Sequence, residues 1–335
     1  MRAFPIPYGV IGAGAWGTAL AQMLSSDGST VRVWAFEADV VTGINADHCN
    51  HLYLPDIALS PLVSATKAID ALTECATLLA VAPAQHMARI LGDLPDHGQP
   101  LVLCSKGMEQ PTGRLMNDVV ADRGWSGPVA VLSGPTFATE VARGLPGAVT
   151  LAAATMAEAQ DLAARLARPT FRPYASDDIV GAEIGGVVKN VLAIACGVVD
   201  GAGLGQNARA ALISRGFAEM VRYGLARGGR LETLAGLAGL GDLVLTCSST
   251  ASRNFSLGRG LGEGRSAAEL LADRLTVAEG AFSAPVLAAD AKARGIDMPI
   301  VDAVARLVAG ETTVAQMVGA LLARPLTGEG WQRLG

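Results

Sequence analysis

The sequence predicts an α/β protein in which a doubly wound, mostly parallel sheet occupies the first half and an all-helical region the second. Three observations carry this. Up to about Tyr174, short β-like runs alternate with Ala/Leu-rich helical stretches, the rhythm of βαβ units. A glycine-rich turn separates the first such run from a helix-forming segment. Beyond Ser176 the β signal fades and helical periodicity takes over, which sets domains at residues 1–176 and 177–335.

In chain order, strands are expected at Tyr8 to Ile11, Thr30 to Ala35, Thr77 to Val81, Leu101 to Cys104, Val129 to Leu132, Ala148 to Ala152 and Phe171 to Tyr174, where β-branched and aliphatic residues cluster between turn signals. Thr18 to Ser25 and Ala157 to Ala167 have helical spacing between them. In the second half, Glu183 to Val199 is so apolar that it reads as a buried helix. Ala208 to Arg227, Ala267 to Leu271 and Val301 to Leu322 read as helices divided by glycine turns.

Composition narrows the function classes. Half of the 335 residues are hydrophobic and only 17% are charged, so both regions can bury a substantial core. The net charge of −5, with basic residues scattered, argues against a nucleic-acid surface. No signal peptide is legible at the N-terminus, and no apolar run reaches the ~20 residues of a membrane span. Five cysteines without a CxxC pair read as reduced core residues, so a cytoplasmic protein is expected. His48 and His51 do not complete a ligand set, and no metal is expected.

The motifs carry the chemistry. Gly12 to Gly17 spell GAGAWG between strand and helix. Gly12 suits the tight turn, Gly14 the approach of a pyrophosphate and Gly17 close helix packing, so a Rossmann-type dinucleotide site is expected. Glu37 ends the second strand, where an acid would hold a ribose 2′-hydroxyl, with Phe36 before it. Lys106, in SKGM, and Gly134, Thr136 and Ala138, in SGPTFATEV, lie just past strand ends, where ligands of open α/β sheets bind. Thr136 is equally suited to cap the helix after Pro135. Asp242, in GLGD, and the Ser252-Arg253-Asn254 run gather donors near a helix start, a good phosphate site; helix capping and solvation are the competing readings. Glu279 falls in a short loop, where solvation is the ordinary reading.

Lys189 stands apart. Of 26 basic residues only Lys67, Lys106, Lys189 and Lys292 are lysines, yet Lys189 sits inside the most apolar helix. Burial lowers an amine pKa toward neutrality, which arginine cannot follow, so general acid/base chemistry competes with a snorkelling lysine here.

Together these segments resemble the bacterial NAD(P)-dependent glycerol-3-phosphate dehydrogenases. The likeness covers nearly the whole chain: GAGAWGTALA at Gly12, YLP at Tyr53, VAPAQ at Val81, SKGM at Ser105, SGPTFATEV at Ser133, VVKNVLAIACGVVDGAGLGQNARAAL at Val187, GLGDLVLTCSS at Gly239, SRN at Ser252 and VAEG at Val277. The resemblance implies oxidation of sn-glycerol 3-phosphate to dihydroxyacetone phosphate, or the reverse reduction that supplies phospholipid backbones, with NAD or NADP as cofactor. It implies Lys189 as proton acceptor and substrate contacts from Lys106, Gly134, Thr136, Asp242, Ser252, Arg253 and Asn254. Ala15, Trp16, Lys106, Ala138, Arg253, Val277 and Glu279 fall near the dinucleotide. Family members often carry a basic residue where this chain has Phe36, beside the adenosine 2′ group, which puts a strong NADP preference in doubt. A β-hydroxyacid-type dehydrogenase and a non-catalytic NAD(H) sensor are the rivals, and a homodimer is left open.

Overall fold

The computed structural model describes residues 4–110, 112–272 and 278–325. Ten strands occur among them: β1 (Ile6–Ile11), β2 (Val31–Trp34), β3 (Cys49–Asn50), β4 (Leu54–Ala58), β5 (Val63–Thr66), β6 (Cys75–Ala80), β7 (Leu101–Leu103), β8 (Val129–Ser133), β9 (Gly147–Ala153) and β10 (Phe171–Ser176). Eight of them form one sheet in the order β10-β9-β8-β7-β6-β1-β2-β5, and β3 and β4 make a separate antiparallel pair. All neighbours in the large sheet are parallel except β8 and β9, so β9 and β10 run against the rest. Helices cover the faces, which is why β6 and β7 are buried almost throughout instead of on alternate residues.

The chain leaves β1 toward β2 and β5 and then returns to build β6, β7 and β8 on the other side. That reversal opens a crevice beyond the carboxyl ends of β1 and β6. Every strand expected from the sequence is present, with ends shifted by one or two residues. The edge strand β5 and the β3–β4 pair were not expected: β5 is four residues long and only Val63 is buried in it, too little apolar pattern to read.

Beyond Ser176 all elements are helical among the described residues. The core helix Ile179–Gly201 is packed by Gly205–Ala226, Arg253–Gly262, Glu279–Ala293 and Pro299–Val308. It is 23 residues long and, by length and composition alone, apolar enough to cross a membrane; 89% of its most apolar stretch is buried within the protein. The uninterrupted apolar runs in the sequence are shorter than this helix because Glu183, Lys189 and Asn190 interrupt them. A side chain at Gly197 would lie 2.1 Å from the Phe255 carbonyl oxygen and one at Gly258 2.0 Å from that of Ile194, so the two backbones cross in direct contact. This docks the N-terminus of Arg253–Gly262 beside Asn190.

One helix expected from periodicity is two. Val301 to Leu322 divides into Pro299–Val308 and Val314–Leu322, because Gly310 takes a positive φ of 73° and Thr313 caps the second helix by accepting from the Gln316 amide.

Candidate active site

The glycine turn follows β1 directly. Gly12 adopts φ 111° and its amide donates to the Trp34 carbonyl at 3.0 Å, tying the turn to the end of β2. A side chain at Gly17 would meet the Gly12 carbonyl oxygen at 1.9 Å, so only glycine lets the helix Ala15–Leu24 start this close. Gly14 is exposed with open space around its missing Cβ, and as N-cap it leaves the helix amides without a side-chain partner. That is a cradle suited to phosphates. Asn50 braces it from the β3–β4 pair, donating to the Ala13 carbonyl and to Thr18 Oγ1, both at 2.8 Å. The buried Trp16 Nε1 has no hydrogen-bond partner among the described residues. These features fit a bound dinucleotide.

On the opposite wall the core helix presents Lys189, only 7% exposed. Its Nζ donates to Asp242 Oδ1 at 3.1 Å and to Thr246 Oγ1 at 2.9 Å. Lys106, from the loop after β7, donates to the other carboxylate oxygen at 2.7 Å and to the Gly134 carbonyl at 3.2 Å. Asp242 opens the helix Asp242–Thr246, so it and Thr246, one turn apart, face the same lysine, and Thr246 in turn donates to Asp242 Oδ1. The cap is Gly241, and the aspartate side chain is turned to the two ammonium groups instead of the helix amides. Burial pushes the Asp242 carboxyl up, but Lys106 and Lys189 outweigh it and hold its pKa below the usual carboxylate value. Desolvation lowers the Lys189 amine, with Asp242 pulling the other way and Lys106 adding to the depression.

The Ser252-Arg253-Asn254 run divides by role. Ser252 caps its helix by accepting from the Phe255 amide at 3.2 Å, and Asn254 donates to Asn190 Oδ1 at 2.9 Å while accepting from the Gly280 amide at 2.9 Å. Asn190 also donates to the Lys106 carbonyl at 3.1 Å, so this amide chain fixes the loop that carries Lys106. Arg253 is exposed, with no hydrogen bond or ion pair among the described residues. Its charge acts on Tyr53, whose hydroxyl donates to Glu37 Oε1 at 2.9 Å; burial and that carboxylate push the phenol up to about 12.

Thr136 is not the expected cap. Phe137 holds that place before the helix Ala138–Ala142, and the Thr136 hydroxyl donates to the Gly134 carbonyl at 3.3 Å. Nor is Glu279 a solvated loop acid: it begins the helix Glu279–Ala293, is partly buried, and makes a long contact of 3.4 Å with the Ala84 amide. Burial raises its pKa against the pull of that amide and the two lysines. Phe36 is 67% exposed at the end of β2, and Val277 lies outside the described residues. Among the described residues no group of His, Cys, Asp and Glu could hold a metal ion. Thr246, Asn190, Asn50 and Tyr53 were missed as site residues; Thr246 stands one turn from Asp242, and Tyr53 and Asn190 fall within segments of the family likeness, but no role was read for them.

The crevice thus pairs a seat for a dinucleotide with an amine able to exchange a proton, the equipment of a nicotinamide-dependent dehydrogenase. Comparison with known proteins sharpens that class. Residues 7–159 match the family model for the NAD-dependent glycerol-3-phosphate dehydrogenase N-terminus and residues 178–319 that for its C-terminus. The chain is 63% identical over 320 residues to glycerol-3-phosphate dehydrogenase [NAD(P)+] of Erythrobacter litoralis, covering 96% of this chain and 97% of the relative. A relative of the same name from Sphingopyxis alaskensis is 62% identical over 96% of this chain and 98% of its own. The crystal structure of glycerol-3-phosphate dehydrogenase from Coxiella burnetii superposes with a TM-score of 0.91 at 41% identity, covering 96% of this chain and all of that one. The chain belongs to the NAD-dependent glycerol-3-phosphate dehydrogenase family. It is an NAD(P)-dependent oxidoreductase acting on a CH–OH group, interconverting sn-glycerol 3-phosphate and dihydroxyacetone phosphate.

Proposed function

We propose that Lys189 is the proton acceptor in oxidation and the donor in reduction, with residues 1–176 seating the cofactor and residues 177–335 the substrate and proton chemistry. One observation carries this: the Lys189 amine is buried, its pKa is depressed, and Asp242 and Thr246 aim it from one side. When bound, the nicotinamide ring supplies the hydride acceptor or donor. As hydride leaves C2 of glycerol 3-phosphate, the C2 hydroxyl must lose its proton, and neutral Lys189 takes it; the ammonium returns it in reduction. Lys106 and Asp242 hold the amine in register, and Gly134 and Thr136 line the strand-end loop that Lys106 touches. Arg253 is the phosphate anchor, since its guanidinium has no partner among the described residues where Ser252 and Asn254 are already engaged. Ser252 and Asn254 act mainly by holding that helix end and the Lys106 loop. Gly12, Gly14, Ala15, Trp16 and Gly17 take the dinucleotide, with Ala138 and Glu279 at its border.

In the cell this reading makes the chain a cytoplasmic source of glycerol 3-phosphate for phospholipid synthesis. Its test is absorbance loss of NADH and of NADPH with dihydroxyacetone phosphate, beside a panel of short 2- and 3-ketoacids. Turnover confined to the phosphorylated ketone supports the reading. Turnover on the carboxylates instead transfers the chain to the β-hydroxyacid type, and cofactor binding without turnover makes it a sensor.

A further inference from the structure

Next to the glycine turn, at the carboxyl end of β2, lies a cavity of about 360 Å³ lined in part by Trp34, Phe36, Lys67, Arg89 and Asp93. Its volume is in the range of small-ligand clefts. The Gly12–Trp34 hydrogen bond makes its wall continuous with the dinucleotide turn, and the helix Ala84–Asp93 that carries Arg89 starts two residues after Ala82, against which Gly12 packs. The cavity therefore sits where the adenosine end of a dinucleotide must come to rest.

Its charges contradict the simplest reading of position 36. Phe36 supplies no cation and Glu37 supplies an anion, which together should repel a 2′-phosphate. Yet two cations, Lys67 and Arg89, line the same cavity as Phe36. Lys67 is exposed and has no ion pair among the described residues, while its backbone is held by Trp34 Nε1, which donates to the Lys67 carbonyl at 3.0 Å. Arg89 meets Asp93 at only 3.8 Å with both side chains 63% exposed, a pair too weak to keep the guanidinium from a better partner. Glu37 is drawn toward Tyr53, which donates to it at 2.9 Å.

We infer that Lys67 and Arg89 recognise the 2′-phosphate of NADP(H), replacing the cation absent at position 36, while the exposed face of Phe36 stacks on the adenine. The inference rests on the dinucleotide reading of the crevice. An arginine fork suits a phosphate, and a lysine adds a mobile point charge. Opposed by Asp93 and Glu37, the two cations allow 2′-phosphate binding without an absolute demand for it.

Calorimetric titration with adenosine 2′,5′-bisphosphate and with 5′-AMP tests this without requiring turnover. Wild type should bind the 2′-phosphorylated compound about tenfold or more tightly than AMP, the scale of one charge-assisted contact. The Lys67→Ala/Arg89→Ala variant should lose that preference while keeping its affinity for AMP, and Lys67→Glu/Arg89→Glu should reverse it. Phe36→Arg should widen the preference. Equal affinity of wild type for the two compounds overturns the inference, as does a double variant that keeps the wild-type ratio or loses both ligands alike. The dehydrogenase reading is judged separately, by dihydroxyacetone phosphate-dependent oxidation of NADH in wild type, so that either can fail alone.

Discussion

Asp242 and Glu183 are both buried carboxylates at the core helix, 1% and 6% exposed, yet their pKa values move in opposite directions. Asp242 lies between two ammonium groups, at 2.7 and 3.1 Å, and stays charged. Glu183 accepts one hydrogen bond, from the Asn117 amide at 3.0 Å, has no partner for its second oxygen among the described residues, and is pushed by burial up to about 8. Glu219 resembles Glu183: its oxygens accept from the Ile300 and Val301 amides, and burial again raises it to about 8. Desolvation by itself neutralises an acid, and only nearby cations keep it ionised in the interior. A chain with four lysines has set two of them around a single aspartate. Around the core helix, then, the buried carboxylate flanked by two lysines stays charged and the one without a cation partner takes up a proton.

The largest break in this contrast should come from Asp242→Asn. Removing the anion leaves two ammonium groups facing each other, and breaking a buried pair costs about 3–5 kcal/mol of stability. Turnover should fall on the order of 10²-fold or more as the amine loses its register. Urea unfolding and steady-state rates check both, and a stable variant with ordinary turnover would reduce Asp242 to a bystander. Next in size is Arg253→Ala, which should lower kcat/KM for glycerol 3-phosphate roughly 10- to 100-fold, while scarcely changing the slow reaction of unphosphorylated glycerol. Equal losses on both compounds would place Arg253 with the cofactor or the fold.

The mildest is Glu183→Gln, which acts on the other side of the comparison. The folded protein holds the Glu183 proton up to about pH 8, whereas the unfolded chain releases it near the ordinary 4.5. Between those values the folded state binds more protons, so wild-type stability should fall as pH rises through that window and level off above it. Glutamine removes this dependence, so thermal midpoints at about pH 5, 7 and 9 should decline less in the variant. Parallel declines would show that Glu183 is ionised throughout.

Much of the crevice was legible because its parts are local. GAGAWG between strand and helix is a contiguous signal, and Lys189 betrayed itself by being a lysine in an apolar helix of an arginine-rich chain. What escaped was set by three-dimensional register. Thr246 matters only once the helix Asp242–Thr246 turns it to Lys189, and Asn190 only once glycine contacts bring Asn254 against it. Glu279 looked solvated because four of its neighbours in sequence are small or polar, yet the helix it starts is packed against the crevice. In the fold, β5 was too short and too polar to read, and the break at Gly310 to Thr313 was passed over because apolar helical spacing resumes at Val314. Lys67 and Arg89 had no sequence signal at all, because they approach Phe36 from separate elements.

The central claim is that Lys189 exchanges the C2 proton, and the most direct measurement is the pH dependence of glycerol 3-phosphate oxidation, from about pH 6 to 10, for wild type and Lys189→Arg. Oxidation needs the neutral amine, so the wild-type rate should climb with pH, with its midpoint below the ordinary amine value of 10.5 because burial depresses this lysine. Arginine keeps the positive charge but stays protonated above pH ~12, so turnover should drop on the order of 10²-fold or more and lose that rise, while dinucleotide binding persists. Near-normal turnover in Lys189→Arg, with the same climb, would contradict the claim and leave Lys189 as no more than a buried counter-charge to Asp242.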